Sequence, residues 1–359
     1  MNTIHLGRTA KRNFITYGIV AVSYLVVTLL AGAGLLTNSL QGQLVPICTY
    51  VIMAISLNLT VGILGELSLG HAGFMSLGAF AGALFSVCTQ DSLTQTWIRF
   101  PLALVIGGIV AGVAGVLIGI PVLRLQGDYL AIVTLAFGEI IKNVFNSIYI
   151  GYDSTGVHFS MTDSLALGLG ADGKILMNGA QGVKGMPKDA TFTIGVVLIL
   201  LTLFIVLNLI KSRTGRAIMS IRDNRIAAES VGINVTKYKL IAFSLSAALA
   251  GVAGVLYAHN FSTLVAKKFD YNTSILILVF VVVGGMGNIR GSIIAAAALT
   301  VLPELLRGMN DYRMLIYAII LILMMIFNQA PQMINWRKRM LAKLPKISLP
   351  KKNAAKEEK

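Results

Sequence analysis

Two carboxylates and a histidine lie in stretches that are otherwise almost wholly apolar. Glu66 and His71 stand between two apolar runs with no other charge near them, and Glu139 lies in a further run that begins at Asp128. At the helical rise per residue, Glu139 would be ~16 Å deeper in a membrane than Asp128. A carboxylate at that depth is costly unless it faces protein or water. The three residues are therefore candidates for a polar translocation path.

Each of the three also has a structural interpretation, and the sequence leaves both open. Lys142 follows Glu139 at i+3, so these two side chains can form an ion pair on one helix face. The glycine-rich stretch 62–73 is either a broken or re-entrant connection that lines protein or water, or a tight hairpin with an ordinary polar turn. His71 has no partner in the sequence for metal binding or base catalysis, so we expect no metal site here.

A second polar region, residues 211–239, separates two apolar runs of nearly 20 residues. It must lie outside the bilayer, because backbone without helix or barrel partners is not tolerated in hydrocarbon. Its basic residues outnumber its two acids, which places it on the cytoplasmic side by the positive-inside rule. Those basic residues are Lys211, Arg213, Arg216, Arg222, Arg225, Lys237 and Lys239.

A short helix is predicted inside this region. Asp223 or Asn224 can cap it, the stretch from Arg225 to Val231 gives about two turns, and Gly232 supplies a left-handed stop. The pattern alone fits a loop helix that rests on lipid headgroups, and it also fits a helix that binds another protein surface.

The composition identifies the class of protein. Apolar residues make up 56% of the 359-residue chain, charged residues 13%, and the net charge is +15. The mean hydropathy is +0.78, which is typical of a polytopic membrane protein. A basic chain can indicate nucleic-acid binding, but here the basic residues lie in loops and a tail, so we expect no nucleic-acid partner. No nucleotide site or catalytic triad is evident, and we expect neither a cofactor nor an enzyme.

About ten apolar segments are long enough to be transmembrane helices, with both termini in the cytoplasm. They fall near 14–34, 44–63, 73–90, 101–121, 129–148, 191–210, 240–258, 273–288, 291–306 and 313–328. The predicted organisation is a cytoplasmic N-terminus (1–13), an all-α transmembrane domain (14–328) and a basic cytoplasmic tail (329–359). The domain includes an outer loop (149–190) and a cytoplasmic coupling loop (211–239).

Glycine patterns indicate one tight helix contact and one false motif. Gly108-x-x-x-Gly112 and Gly115-x-x-x-Gly119 predict close helix packing in the fourth segment. In the outer loop, the stretch 168–174 imitates a nucleotide-binding loop, but Ile175 replaces the required Ser or Thr and no buried strand precedes it. We expect the outer loop to contact an external protein or to act only as a connector.

Three stretches resemble one family of transport proteins. They are NLTVGILGELSLGHAGF at 58–74, LRLQGDYLAIVTLAFGEI at 123–140, and SRTGRAI with RDNRIAAESVGINV within 212–235. In the last of these, Ala227-Ala228 followed by Gly232 resembles the EAA motif of ATP-binding-cassette (ABC) importer permeases, although Ile226 replaces its Glu. Together they resemble the LivM-type permease of branched-chain amino-acid ABC importers, over about residues 44–328.

The resemblance implies a function, partners and contact residues. The chain would be a permease subunit in a bacterial inner (plasma) membrane, paired with a LivH-like sister permease, two cytoplasmic ATPase subunits and an external solute-binding protein, in contact with membrane lipid. The substrates implied are branched-chain or related amino acids. In this family a short cytoplasmic helix docks into the ATPase. The residues expected to make that contact are Arg222, Asp223, Arg225, Ala227, Ala228, Glu229 and Gly232.

A rival function belongs to a different class. The chain would be a self-sufficient channel or secondary transporter that uses Glu139, Glu66 and His71 as a proton or ion relay. Dependence on ATPase subunits or on an ion gradient would distinguish the two.

Overall fold

The structure is a computed structural model that describes residues 8–329 except 91, 94, 126, 154–155 and 171–172. Most of the predicted N-terminal segment and basic tail lie outside the described residues. The described α-helices are α1 (Arg8–Gly32), α2 (Asn38–Asn58), α3 (His71–Cys88), α4 (Thr96–Val122), α5 (Asp128–Ser147), α6 (Phe192–Lys211), α7 (Arg213–Asp223), α8 (Arg225–Ser230), α9 (Val235–Ala258), α10 (Tyr271–Gly284), α11 (Ile289–Leu305) and α12 (Arg313–Gln329).

The all-α polytopic class is confirmed, and each predicted apolar segment overlaps a helix. Within the described residues, eight helices are long and apolar enough to cross a membrane. They belong to α1, to α2 with its π-helical extension Leu59–Leu64, and to α3, α4, α5, α6, α9 and α11. The 14 residues of α10 give about 21 Å, which is short of a hydrocarbon core about 30 Å thick. The apolar stretch Met314–Ile326 of α12 is also shorter than the eight candidate spans.

The bundle is arranged around α2. In the apolar stretch of α2 that could span a membrane, 89% of the residues are buried. The corresponding share for α1, at the periphery, is 11%. Helices α9, α11 and α6 pack on α2, while α3 and α4 pack on α9 and on each other. We call the end of the bundle that carries α7 and α8 the basic face, and the opposite end the sheet face.

The predicted glycine contact is confirmed between α4 and α9. A Cβ atom at Gly115 would lie 2.6 Å from the Cβ of Ala247, and one at Gly112 would lie 3.2 Å from the Cβ of Ala248. Small residues on both helices let the backbones approach closely, which is how helices gain contact in lipid.

The loop 149–190 contains strands that the sequence pattern did not predict. β1 (Tyr149–Asp153) pairs antiparallel with β2 (Gly156–Ser160) and β3 (Lys174–Asn178), and β4 (Val183–Lys184) pairs with β5 (Thr263–Leu264). These strands have five residues or fewer, and burial alternates along β2 but not along β1 or β3, so the sequence carries little periodicity to indicate them. The glycine stretch 168–174 leads into a strand and not a helix, which removes the anion-binding helix end that a nucleotide loop requires.

Candidate coupling and translocation site

The predicted coupling helix forms as two short helices that meet at Asn224. This residue is extended (φ −157°, ψ 106°), so it ends α7 and starts α8. Its Oδ1 accepts a hydrogen bond from the backbone N–H of Ala227 at 3.0 Å, which satisfies an orphan donor at the helix start. Gly232 follows α8 with φ +84°, the left-handed conformation that glycine tolerates best. Asn224 is therefore the cap, and the predicted stop at Gly232 is confirmed.

The two faces of this unit differ. Ile221 and Ala228 are buried with Val235 in a small apolar cluster of the chain's own residues. On the other face, Ile226 is 79% exposed and Val231 74% exposed. The unit thus rests on the bundle through one apolar face and presents a second apolar surface outward.

The seven predicted coupling residues are close together, and six of them are exposed. Arg222 pairs with Asp223 at 2.9 Å, and Arg225 pairs with Glu229 at 3.2 Å, one helical turn on. Ala228 is the buried member at 3% exposure. Its side chain therefore faces the bundle and anchors α8.

Arg222 connects the α7–α8 unit to a break in α2. Its Nη1 donates to the carbonyl of Gly62 at 3.0 Å, in the π-helical turn at the end of that span. A Cβ atom at Gly65, where φ is +82°, would lie 2.5 Å from the Cγ of Arg222. The aliphatic part of the side chain therefore lies directly on the break, which only a glycine permits.

A second glycine turn, between α10 and α11, meets the first. The N–H of Gly287 donates to Asn58 Oδ1 at 2.8 Å, and the Nδ2 of Asn58 donates to Ser292 Oγ at 2.8 Å. A Cβ atom at Gly62 would lie 2.2 Å from the backbone nitrogen of Gly287. Two turns that are far apart in the sequence are thus in direct backbone contact.

Glu66 lies in the non-helical segment between Leu64 and His71, which fits both the broken connection and the hairpin turn that the sequence leaves open. It forms an ion pair with Lys239 in the first turns of α9, and the two side chains are 15% and 7% exposed. Because the bundle shields both charges, each requires the other as its counter-ion.

His71 is buried at the first turn of α3. Its Nε2 lies 2.7 Å from Ser56 Oγ on α2, and the hydroxyl of Ser246 on α9 donates to the Ser56 carbonyl at 2.5 Å. The backbone N–H of Ala72, which has no acceptor within the first turn of this helix, donates to Ser274 Oγ at 3.0 Å. This helix start is therefore held by hydroxyl groups from two other helices, α2 and α10.

Glu139 forms an ion pair with Lys142, as the i+3 spacing indicated. Its Oε1 also accepts from the N–H of Tyr271 at 3.0 Å, so the carboxylate sits at the N-terminus of α10, where negative charge is favoured. The cap of that helix is Asp270. Burial raises its pKa, but hydrogen bonds from Thr273 and Asn272 and the charge of Lys142 lower it more, so the pKa ends below its ordinary value.

The three residues proposed for the path have separate environments. Among the described residues, Glu66 binds Lys239, Glu139 binds Lys142 and Tyr271, and His71 binds Ser56. Within the part of the chain that the structure describes, no hydrogen bond joins any two of the three. The described residues also include no cluster of three or more His, Cys, Asp or Glu side chains with metal-binding geometry.

Sequence reasoning missed two residues that organise this site. Lys239 was counted only as one more basic residue of a loop, although it is almost buried. Asn58 was read as part of an apolar span, although it is fully buried and bonds to two other segments. A lone amide in the middle of an apolar run is a signal that could have identified Asn58, because buried polar groups need partners.

Comparison with known proteins places the chain in a family. Residues 39–327 match the family model described as branched-chain amino acid transport system / permease component. The high-affinity branched-chain amino acid transport system permease protein LivM of Salmonella typhimurium is 37% identical over 289 residues, 77% of this chain and 66% of that protein. LivM of Escherichia coli K12 is 36% identical over 317 residues, 85% and 70% of the two chains.

The chain thus spans about two thirds of the length of these two relatives. The protein named "Probable branched-chain amino acid transport permease protein LivH" of Methanocaldococcus jannaschii is 26% identical over 274 residues, 71% of this chain and 76% of that one. No solved structure shows a significant match. The family match covers most of the chain, from α2 into α12, and on that ground the protein belongs to the branched-chain amino acid transport system permease family.

Proposed function

We propose that this chain is the transmembrane permease subunit of an ABC importer for branched-chain or related amino acids. The names of the two LivM relatives support the substrate class. The concentration of Lys and Arg in 211–239 supports a cytoplasmic basic face and, with it, cytoplasmic termini in a bacterial inner membrane. In this proposal the chain hydrolyses nothing, and ATPase partners supply the energy.

One observation carries the proposal. Ile226 on α8 and Val231 directly after it expose their apolar side chains outside the membrane-spanning stretches, while Ala228 fixes α8 to the bundle. Large apolar side chains that are exposed outside the membrane, one on a capped helix and one at its end, suit a protein contact surface. We assign this surface to the ATPase subunit, with Arg222, Asp223, Arg225, Ala227, Glu229 and Gly232 around it.

The contacts behind α8 give a route for force. Movement of the α7–α8 unit would be transmitted by Arg222 to the carbonyl of Gly62 and so to the break in α2. Because Gly62 touches Gly287, the turn before α11 would move with it. Lys239 and Glu66 tie the start of α9 to the same break. A push on one short helix thus reaches three spans, as switching between inward-open and outward-open states requires.

Two further surfaces fit the other partners. α5 carries Glu139, Lys142 and Asn143, yet only 22% of the residues in its membrane-spanning stretch are buried. A span with these polar groups is unfavourable against hydrocarbon, which supports a LivH-like sister permease and the translocation path on this side. On the sheet face, Val157 and Phe159 of β2 are 70% and 57% exposed, and we assign them to the external binding protein.

The experiment is co-purification of the ATPase subunits with the full transporter. Ile226→Asp places a charge in the proposed contact without disturbing the fold, because the side chain makes little contact with the bundle. We expect loss of ATPase co-purification and of ATP-driven uptake in proteoliposomes. Val157→Asp is the matched control on the opposite face and should retain the ATPase. Retention of the ATPase by the Ile226 variant would overturn the assignment of α8.

The rival function has its own test. A secondary transporter would take up amino acids when this chain alone is reconstituted and given an ion gradient. Glu66, His71 and Glu139 each bind a different partner, which argues against a proton or ion relay between them. We expect uptake only when the sister permease, the ATPases and the binding protein are present with ATP.

A further inference from the structure

Two cavities follow one another along α1, α6 and α11, and the proposed function assigns an occupant to neither. The first, about 570 Å³, opens at the basic face, and its lining includes Lys211, Arg222 and Arg290. The second, about 590 Å³, lies farther along the same helices and is almost wholly apolar. On α1 the lining passes from Thr16 in the first cavity to Val20 in the second.

The charge of the first cavity is of one sign. Its lining residues include three cations and no carboxylate. Arg290 donates through Nε to Thr16 Oγ1 at 2.7 Å, while its Nη2 is buried and has no hydrogen-bond partner among the described residues. A buried guanidinium nitrogen without an acceptor is costly. An anion in this cavity would supply the acceptor.

The second cavity is suited to a hydrocarbon chain. Ile293 and Ala297 on α11 line it, opposite Val196 and Ile199 on α6. All the helices that form this cavity are apolar enough to cross a membrane. The cavity would therefore be surrounded by lipid. From Arg290 to Ile293 is about one helical turn, or 5 Å, which is the order of the distance from a lipid phosphate to the start of its acyl chains.

We propose that this pair of cavities binds one anionic phospholipid from the leaflet at the basic face. The phosphate lies in the cationic cavity against Arg290, with Lys211 and Arg222 beside it, and an acyl chain lies in the apolar cavity between α1, α6 and α11. Arginine suits this role because its planar fork of donors matches phosphate oxygens, and basic cavities between membrane helices are typical sites for anionic headgroups.

A lipid bound in this way would make the position of the α7–α8 unit depend on the lipid composition of the membrane. Arg222 lines the lipid cavity and also holds the carbonyl of Gly62. A phosphate beside it would fix the position of that side chain. The bound lipid would therefore stabilise the contact between α7 and the break in α2.

The test measures thermal unfolding of the purified full-length chain in detergent as dioleoyl phosphatidylglycerol is added. We expect a saturable rise in the unfolding temperature that dioleoyl phosphatidylcholine and inorganic phosphate do not produce. Arg290→Gln should weaken the apparent affinity at least about fivefold, the effect of removing one basic residue near an anionic lipid. Arg213→Gln is the matched control, because Arg213 is an exposed residue of the same basic region that lines neither cavity.

A second variant tests the apolar cavity. Ala298→Phe should fill it and reduce the phosphatidylglycerol effect, whereas Leu201→Phe should not, because Leu201 is exposed on the face of α6 opposite Val196 and Ile199 and lines neither cavity. Equal responses to the two lipids, or an unchanged response in Arg290→Gln, would overturn the proposal. So would loss of sister-permease co-purification in Ala298→Phe with the lipid response intact, because that result would identify the cavity as a helix contact.

Discussion

Gly62 and Gly287 are in backbone contact, although 225 positions separate them in the sequence (287 − 62). Any side chain on Gly62 would meet the Gly287 nitrogen at 2.2 Å and Asn58 Oδ1 at 1.9 Å. The two glycine-rich turns echo each other in the sequence, and the fold joins them under Arg222. This junction is where the coupling unit meets the spans, and the first prediction concerns it.

Gly62→Ala should disrupt the junction. The added methyl group cannot be accommodated without separating the two turns, which we expect to cost ~1–3 kcal/mol as overpacking does. Gly42→Ala in α2 is the matched control, since a Cβ there meets no described atom within 4 Å. That change should be neutral or stabilising by up to ~1 kcal/mol, because alanine favours helix. Unfolding in detergent measures both, and equal stabilities would contradict the predicted contact.

Arg222→Gln should uncouple transport from ATP hydrolysis. It removes a charged hydrogen bond to Gly62, worth ~1.5–3 kcal/mol, which corresponds to a tenfold or greater fall in uptake if all of it serves coupling. ATPase co-purification should persist, because Ile226 and Val231 remain in place. Arg213→Gln, at the far end of α7, should transport normally. Wild-type uptake by the Arg222 variant would show that force does not pass through this side chain.

Lys239 and Glu66 should show strong energetic coupling. Lys239→Met alone leaves a shielded carboxylate without its counter-ion, at a cost of up to ~3–5 kcal/mol. The double variant Lys239→Met, Glu66→Leu should lose much less, because no charge remains unpaired. A double-mutant cycle from denaturant unfolding measures the difference. Uptake by the double variant would also exclude Glu66 from a proton relay, while additive losses would argue against the pair.

Asp270 should make stability depend on pH at the acidic end. Its folded-state pKa lies below the ordinary value of 3.8, so the folded state binds its proton less readily than the unfolded state does. The contribution is therefore complete above about pH 4 and is lost as the pH falls through the folded-state pKa. Asp270→Asn keeps a cap acceptor and should flatten this dependence. Thermal unfolding between pH 3 and 6 measures it, and identical profiles would contradict the assignment.

Local features of the sequence determined much of this protein. The apolar runs place the helices because a bilayer demands continuous helical hydrogen bonding. Gly232 predicts the stop after α8, because few other residues adopt a left-handed conformation. The i+3 spacing predicts the pair of Glu139 and Lys142, and the i+4 spacing of glycines in α4 predicts a close helix contact, whose partner α9 only the structure identifies. Each of these depends on residues close in sequence or on one helix face.

The tertiary structure decided the rest. Only folding brings Lys239 to Glu66, Asn58 to Gly287, and Arg222 to Gly62, because each pair joins segments whose separation no local pattern encodes. The same holds for the short strands of the sheet face and for Ala228, whose burial turns one expected partner contact into an anchor. The polar pairs share one physical reason. A buried charge or backbone polar group must be paired or hydrogen-bonded. The sequence shows which groups require a partner, but only the tertiary structure determines which residue that partner is.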